Sequence, residues 1–264
     1  MSAEVWYSMN YRTSAAIITA VKIETQSVHR LYDNWDRIIL PGDEQEYYAG
    51  SFTSKAGQRQ TLITAQQNTM GMTAAAFLSA KIISAFRPEY LIMCGIAAGL
   101  GSEAGQIYGD VIIPDIVWDY SAGKFTPPVD SAITFGNVGF QPRPSSIALD
   151  DGILDIVKGL KGKTDFELLI GPMACGSAVI ANREAIEARI QHVMPETLGV
   201  DMESYGIFYA AVNSAAPKPK AIVIKSICDY ADSEKSDNYQ KFAAYTSSEF
   251  TKYLLENHLP FHDD

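Results

Sequence analysis

The chain has 264 residues, 47% of them hydrophobic and 20% charged, enough apolar material to offset the ordering entropy of a core and so to exclude intrinsic disorder. With 31 acidic against 21 basic side chains the net charge is −10, and no Lys/Arg run appears, which argues against binding along a nucleic-acid backbone. Small anions held by backbone N–H groups stay within reach.

Ala15–Ala20 (AAIITA) is apolar enough for a buried strand, and Lys22–Asp33 reads as a helix. Glu46–Phe52 and Gln60–Gln66 are β-rich, joined through Lys55-Ala56-Gly57. Met70–Phe86 is rich in helix formers and stops at Arg87-Pro88. Tyr90–Gly95 is a second buried strand, a Gly/Ala loop follows over Ile96–Gly109, and Asp110–Tyr120 is strand-like again. Pro127, Pro128, Pro142 and Pro144 make Gly123–Ser146 a long ordered loop, of the kind that serves function or an interface. Ile147–Leu160 then reads as helix, Phe166–Met173 as strand, Arg183–His192 as helix and Thr197–Val200 as strand. Glu203–Ala211 is a helix, Ala221–Ile227 a strand and Asn238–Asn257 the closing helix. Without repeats or linkers, this alternation predicts one α/β domain with a central, mixed but mostly parallel β-sheet flanked by helices. Ligands of such sheets sit outside the carboxyl ends of the strands, so chemistry is sought just past them.

No apolar stretch is long enough to span a bilayer, since Arg87, Pro88 and Glu89 interrupt Ile83–Gly95; no membrane partner is expected. The opening MSAEVWYSMNYRTS lacks the basic-then-apolar order of a secretory signal. Cys94, Cys175 and Cys228 have no Cys-x-x-Cys spacing, so neither disulfides nor a zinc site is expected, and a cytoplasmic location fits.

Gly99–Ala104 (GLGSEA) satisfies G-x-G-x-x-A, but Tyr108-Gly109-Asp110 leads into a strand where a dinucleotide site needs a helix. CGIAAGLG then offers either close backbone approach to a ligand or a tight structural turn. ICDYADSEKSDN (Ile227–Asn238) has the acids of a Ca²⁺ loop without its turn glycine or terminal glutamate; no metal is expected. Glu234 and Asp237 suit a helix N-terminus, whereas Asp229, directly after an apolar strand, is placed to face a pocket mouth. In GVDMESYG, Asp201 reads as a helix cap and Glu203 as an acceptor for a vicinal diol. Glu24, four residues past the first strand, by itself reads as a helix-surface residue. Cys228 has no histidine adjacent in sequence and reads as a small buried thiol.

AAIITAVKIE, MCGIAAGL with GDVIIPD, CGSAVIA, VDMES and SICDYAD occur in the order found in the purine nucleoside phosphorylase/nucleosidase superfamily. The chain resembles its hydrolytic branch, which includes 5′-methylthioadenosine/S-adenosylhomocysteine nucleosidases. The resemblance spans Ser14 to Glu256, implying one domain over residues 14–257 with short tails at 1–13 and 258–264. SICDYADSEKSDNYQKFAAY is closer still to nucleosidase domains of microbial and fungal defence proteins that degrade adenine nucleotides. It implies that Asp229 holds the proton given to purine N7, that Glu24 orients and deprotonates the attacking water, and that Glu203 binds the ribose hydroxyls over Met202. The backbone of Ala97, Ala98 and Gly99 would line the water side, Val179 and Ile180 would border the base, and Cys228 would precede the acid. The sequence departs from the family where Val179 replaces a stacking aromatic, and where Cys228 and Ile96 replace small hydroxyl residues.

The chemistry is coherent on its own terms. An N-ribosidic bond breaks through a ribosyl cation, so the purine must be protonated as it leaves while water is held on the other face. One protonated and one ionised carboxyl meet that need, and burial beside an apolar strand end is the means to keep Asp229 protonated.

Family members that bind phosphate carry arginines in segments that here read TAVKIET and YLIMCG, without arginine; Arg30 lies too far down its helix and Arg87 at the wrong end of its strand. Hydrolysis without a cofactor is therefore expected. Phosphorolysis, a nicotinamide-dependent oxidoreductase and a nucleotide-sensing module without turnover are the alternatives. The expected substrate is an adenine nucleotide, AMP through ATP, in antiviral defence, on the strength of the resemblance; methylthioadenosine/adenosylhomocysteine is the second candidate. Lys225 lies on the catalytic strand, and Lys235, Lys124 and Arg143 lie in segments with the reach to approach the pocket mouth, but each reads first as a solvated surface charge. FGNVGFQPRP (Phe135–Pro144) resembles the segment with which related nucleosidases close a neighbouring subunit's pocket. A homodimer or higher oligomer is expected, with Phe135 or Phe140 walling the partner's site, and an activating partner protein stays open.

Overall fold

The computed structural model describes residues 12–100, 105–127, 133–135, 138–180, 183–231 and 237–262. The chain begins with β1 (Thr13–Thr19), α1 (Lys22–His29), β2 (Asp36–Ile38), β3 (Tyr47–Thr53), β4 (Arg59–Gln66), α2 (Met72–Phe86) and β5 (Pro88–Gly99). It continues through β6 (Val111–Asp119), β7 (Gly123–Thr126), β8 (Ile133–Phe135), β9 (Val138–Pro142), β10 (Ser146–Ala148), α3 (Asp151–Lys158) and β11 (Leu168–Cys175). Last come α4 (Arg183–Ile186), β12 (Gly199–Asp201), α5 (Ser204–Asn213), β13 (Lys220–Asp229) and α6 (Gln240–Asn257).

The expected mixed α/β sheet is present. β5 is its axis, with β1 parallel on one edge (Ile17 opposite Ile92) and β13 parallel on the other (Ile224 opposite Cys94). β4 extends the sheet parallel beyond β1, and β3 and β2 follow antiparallel. Tyr90–Cys94 and Ile222–Ile224 are buried on both faces, which is why these strands read as unbroken apolar runs. On the other side β13, β6, β11 and β12 pair in turn, and β12 returns antiparallel to the end of β5, opposite Ala98 and Gly99. That circuit closes only because the meeting residues are small: a Cβ on Gly199 would stand 2.9 Å from the Ala98 carbonyl oxygen. Helix α6 lies over β5 and β13, and α2 packs on α5.

Four sequence expectations need correction. Ile96–Gly99 is strand rather than loop, because β12 and β13 supply hydrogen-bonding partners on both sides. Gly123–Ser146 is not an ordered loop without elements: its described parts form a small antiparallel sheet in the order β7-β9-β8, with Pro127, Pro142 and Pro144 at or beyond strand ends. The segment from Ile147 starts as β10 and turns helical only at Asp151, where the Asp150 carboxylate accepts from Ile153 N at 3.2 Å and caps α3. The Arg183 helix passes into a π-helical turn over Glu187–Gln191.

Residues 258–262 do not trail as a tail. Leu259 is buried, Tyr90 Oη donates to the Pro260 carbonyl at 2.5 Å, and Glu89 holds His262 Nδ1 at 2.7 Å. Residues 1–11, 101–104 and 232–236 lie outside the described residues, and with them the second half of GLGSEA and the expectations for Glu234 and Lys235. No helix of the described residues is long and apolar enough to cross a membrane.

Candidate active site

The carboxyl ends of β1, β5, β12 and β13 surround one cavity of about 480 Å³. Glu24, Glu203 and Asp229 all line it, with Ala97, Ala98, Met202, Val179, Ile180 and Cys228. These residues come from five separate stretches of sequence.

Glu24 sits in the first turn of α1, where its Oε2 accepts from Ala20 N (2.6 Å) and Val21 N (3.0 Å), satisfying donors that a helix start leaves open. Its Oε1 accepts from Ile96 N at 2.8 Å, tying α1 to β5. The approach is close enough that a Cβ on Gly95 would lie 2.1 Å from Oε1. Glu24 is therefore not a helix-surface residue; it is 2% exposed. Burial raises its pKa, against the opposing pull of Lys225 and the three backbone donors.

Glu203 lies just before α5. Its Oε1 accepts from Gly71 N (3.1 Å) and Gln67 Nε2 (3.3 Å), and its Oε2 has one donor among the described residues, Lys225 Nζ at 3.3 Å. A carboxylate has about four acceptor sites, so the open one is on Oε2. Asp201 has the capping part expected of it, accepting from Ser204 N and, at 2.7 Å, from Ser204 Oγ.

Lys225 departs from expectation. It is 1% exposed, reaches Glu203 and Asp201 (3.5 Å), and does not line the cavity. Side chains alternate along β13: Ser226 points to α6 and pairs with Thr246, so Lys225 points to the opposite face, where Asp201 and Glu203 before α5 enclose it. Burial alone would lower its pKa, but Glu203, Asp201 and Glu24 outweigh that and raise it. Lys124 and Arg143 are exposed and also do not line the cavity.

Asp229 ends β13. Its Oδ1 accepts from Ala231 N at 2.9 Å across a turn that puts Ala231 at φ +54°, and its Oδ2 lies 3.4 Å from Cys228 Sγ. Cys228 also reaches the Ala97 carbonyl at 3.5 Å and is a buried thiol, as read from the sequence. Val179 is an exposed rim residue, while Ile180 packs against the smaller apolar cluster that contains Trp118 and Tyr120.

Two expected positions fall elsewhere. Gly99 does not line the cavity; its missing side chain makes room for Gln106 and Ile227. Phe140 is 2% exposed, with Arg189 stacked 4.6 Å over its ring and Phe125 at 5.3 Å, so it fills its own subunit rather than projecting into another. The backbone of Phe135 lies in β8, and its side chain is outside the described residues, as is that of Asp237. Sequence reasoning missed Lys22 and Met70, both of which line the cavity. A lysine opening a helix carries no local signal of a site.

A family model described as the phosphorylase superfamily matches residues 14–257. ATP nucleosidase Cap17 of Escherichia coli is 26% identical over 92% of the chain, which spans 51% of that protein. The 5′-methylthioadenosine/S-adenosylhomocysteine nucleosidase of Buchnera aphidicola is 29% identical, with 91% of this chain and 95% of that protein aligned. Among solved structures, S-adenosylhomocysteine nucleosidase of Streptococcus pyogenes superposes with a TM-score of 0.75 at 21% identity, covering 96% of this chain and all of that one, a likeness of fold. The chain thus spans about half the length of the ATP nucleosidase it matches.

Proposed function

The chain belongs to the phosphorylase superfamily, and within it we propose that the protein hydrolyses the N-ribosidic bond of an adenine nucleotide, releasing adenine and a ribose phosphate. The observation that carries the reading is the convergence of Glu24, Glu203 and Asp229, from three distant stretches, on one cavity. In this reading Glu24 takes a proton from water as its oxygen bonds to C1′, the C1′–N9 bond breaks, and Asp229 delivers a proton to N7 of the leaving purine. Glu203 accepts from a ribose hydroxyl at its open Oε2 site, and Met202 packs beneath the sugar. The backbone of Ala97 and Ala98 borders the water side, and Val179, Ile180 and Cys228 stand by the base. Hydrolysis is favoured over phosphorolysis because no arginine lines the cavity among the described residues. The ATP nucleosidase relative supports a nucleotide substrate.

A second reading, a 5′-methylthio substrate, is favoured by the apolar Val21, Met70 and Met202 in the same wall and by the methylthioadenosine nucleosidase relative. The deciding experiment incubates purified protein with adenosine, methylthioadenosine, AMP or ATP, with and without phosphate, and measures adenine by chromatography. Adenine release from nucleotides without phosphate is expected. A tenfold or greater preference in kcat/KM for methylthioadenosine, about 1.4 kcal/mol of transition-state binding, overturns the nucleotide reading. Strict phosphate dependence overturns hydrolysis, and an absence of turnover with every substrate favours a sensing module. The proposal includes a homodimer as the working form.

A further inference from the structure

A second cavity of about 720 Å³, lined mostly by polar residues, opens beside the first, and Lys22 lines both. One face of α1 walls it: Lys22, Thr25, Gln26, His29 and Arg30 recur at the three- and four-residue spacing that stacks side chains along a helix. Gln67 lines it too, donating to Glu203 at 3.3 Å and so joining this cavity to the candidate ribose site; its Oε1 is buried without a partner among the described residues.

The charges in this cavity are unevenly committed. Neither Lys22 nor Arg30 forms an ion pair with any described residue, and the two stand about 12 Å apart along the helix. His29 Nε2 is held to Thr64 Oγ1 at 2.9 Å, and burial lowers its pKa, so it adds no positive charge at neutral pH. Of the acids that line the same cavity, Glu46 is paired with Arg37 at 2.7 Å, and Glu44 forms no ion pair with any described residue. At physiological salt, charges act over about 8 Å, so these near groups outweigh the acidic molecule as a whole.

Building on the nucleotide reading above, we propose that this polar cavity receives the 5′-phosphate chain, with Lys22 at the first phosphate and Arg30 at the far end. Lys22 then serves every 5′-phosphorylated substrate, Arg30 only those with a longer chain, and Glu44 limits affinity for the most highly charged. The alkyl wall of Val21 and Met70 carries the sugar's 5′ carbon to the mouth of this channel.

The test measures kcat/KM for adenosine, AMP and ATP in the wild type, Lys22→Glu, Arg30→Glu and Glu44→Gln, with circular dichroism to confirm folding. The ratio of ATP to adenosine is expected to fall at least tenfold in Lys22→Glu and in Arg30→Glu, and to rise in Glu44→Gln. The ratio of AMP to adenosine falls in Lys22→Glu alone. Raising NaCl should depress the wild-type ATP value more steeply than the adenosine value. If the wild type releases adenine from ATP but these ratios stay within twofold across the variants, the channel is refuted and the nucleotide reading stands. If the wild type acts on adenosine or methylthioadenosine and on no nucleotide, both fall together.

Discussion

At the scale of single residues, the candidate site is a small enclosed set of charges. Lys225 lies against Glu203 and Asp201, with Glu24 close enough to feel its field. Asp229→Asn removes the proposed proton donor while keeping the side chain's size; kcat should fall by about 10²–10⁴ with unchanged circular dichroism, and a fully active variant contradicts the assignment. The proposed base must be ionised to act, and burial raises Glu24's pKa. Activity should therefore be lost on the acid side at a pH above the ordinary glutamate value, read from kcat/KM against pH. Lys225→Met takes away the cation that lowers Glu24's pKa, so that acid limb should move to higher pH. It also strands buried carboxylates, at a cost of about 3–5 kcal/mol, measurable by urea denaturation. An unmoved limb in a folded variant means that Lys225 does not act on Glu24.

At the scale of elements, the site depends on places where backbone comes unusually near a side chain or another backbone. Gly95 lets β5 pass against the Glu24 carboxylate. In Gly95→Ala the new Cβ competes with Oε1 for the same space, so the carboxylate must shift; the expected result is a fall of about tenfold or more in kcat with little change in KM. Gly206 in α5 lies against the first turn of α2, where a Cβ would be 2.2 Å from the Met72 carbonyl oxygen. That neighbour is backbone and cannot swing aside. Gly206→Ala should cost about 1–3 kcal/mol and lower Tm by about 2–4 °C per kcal/mol, read by thermal melting. Helix α1 has the widest reach, placing Glu24 in the catalytic cavity and turning its polar face to the adjoining one.

At the scale of the whole molecule, the homodimer is open to a direct measurement. Phe77 on α2 and Tyr209 on α5 are exposed and line a surface cavity of about 760 Å³ with Ala76, Ala80 and Ala210, and Val212 is a further exposed apolar residue of α5. An apolar patch of this kind on helices packed against each other is the surface a second copy would cover. Light scattering at micromolar concentration should give a dimer, and Phe77→Glu with Tyr209→Glu should give a monomer. A wild-type monomer that is fully active contradicts the expectation.

Much of this architecture could be read from local pattern. Continuous apolar runs marked β1, β5 and β13, because strands buried on both faces need no polar alternation, and the acid at the end of β13 marked Asp229, as the one just past β12 marked Glu203. What the sequence could not supply was any property that depends on partners far away in the chain. Ile96–Gly99 looked like a loop because its small residues have no strand propensity of their own; pairing with β12 and β13 makes it a strand. Lys225 looked solvated because burial of a lysine is tolerable only beside carboxylates contributed by other elements. Phe140 looked like an arm for a neighbour until the small sheet folded it inward under Arg189. The types of residue and their order along the chain set the chemistry available. Which of them share a cavity was decided by the packing of β5 against strands that lie far from it in sequence.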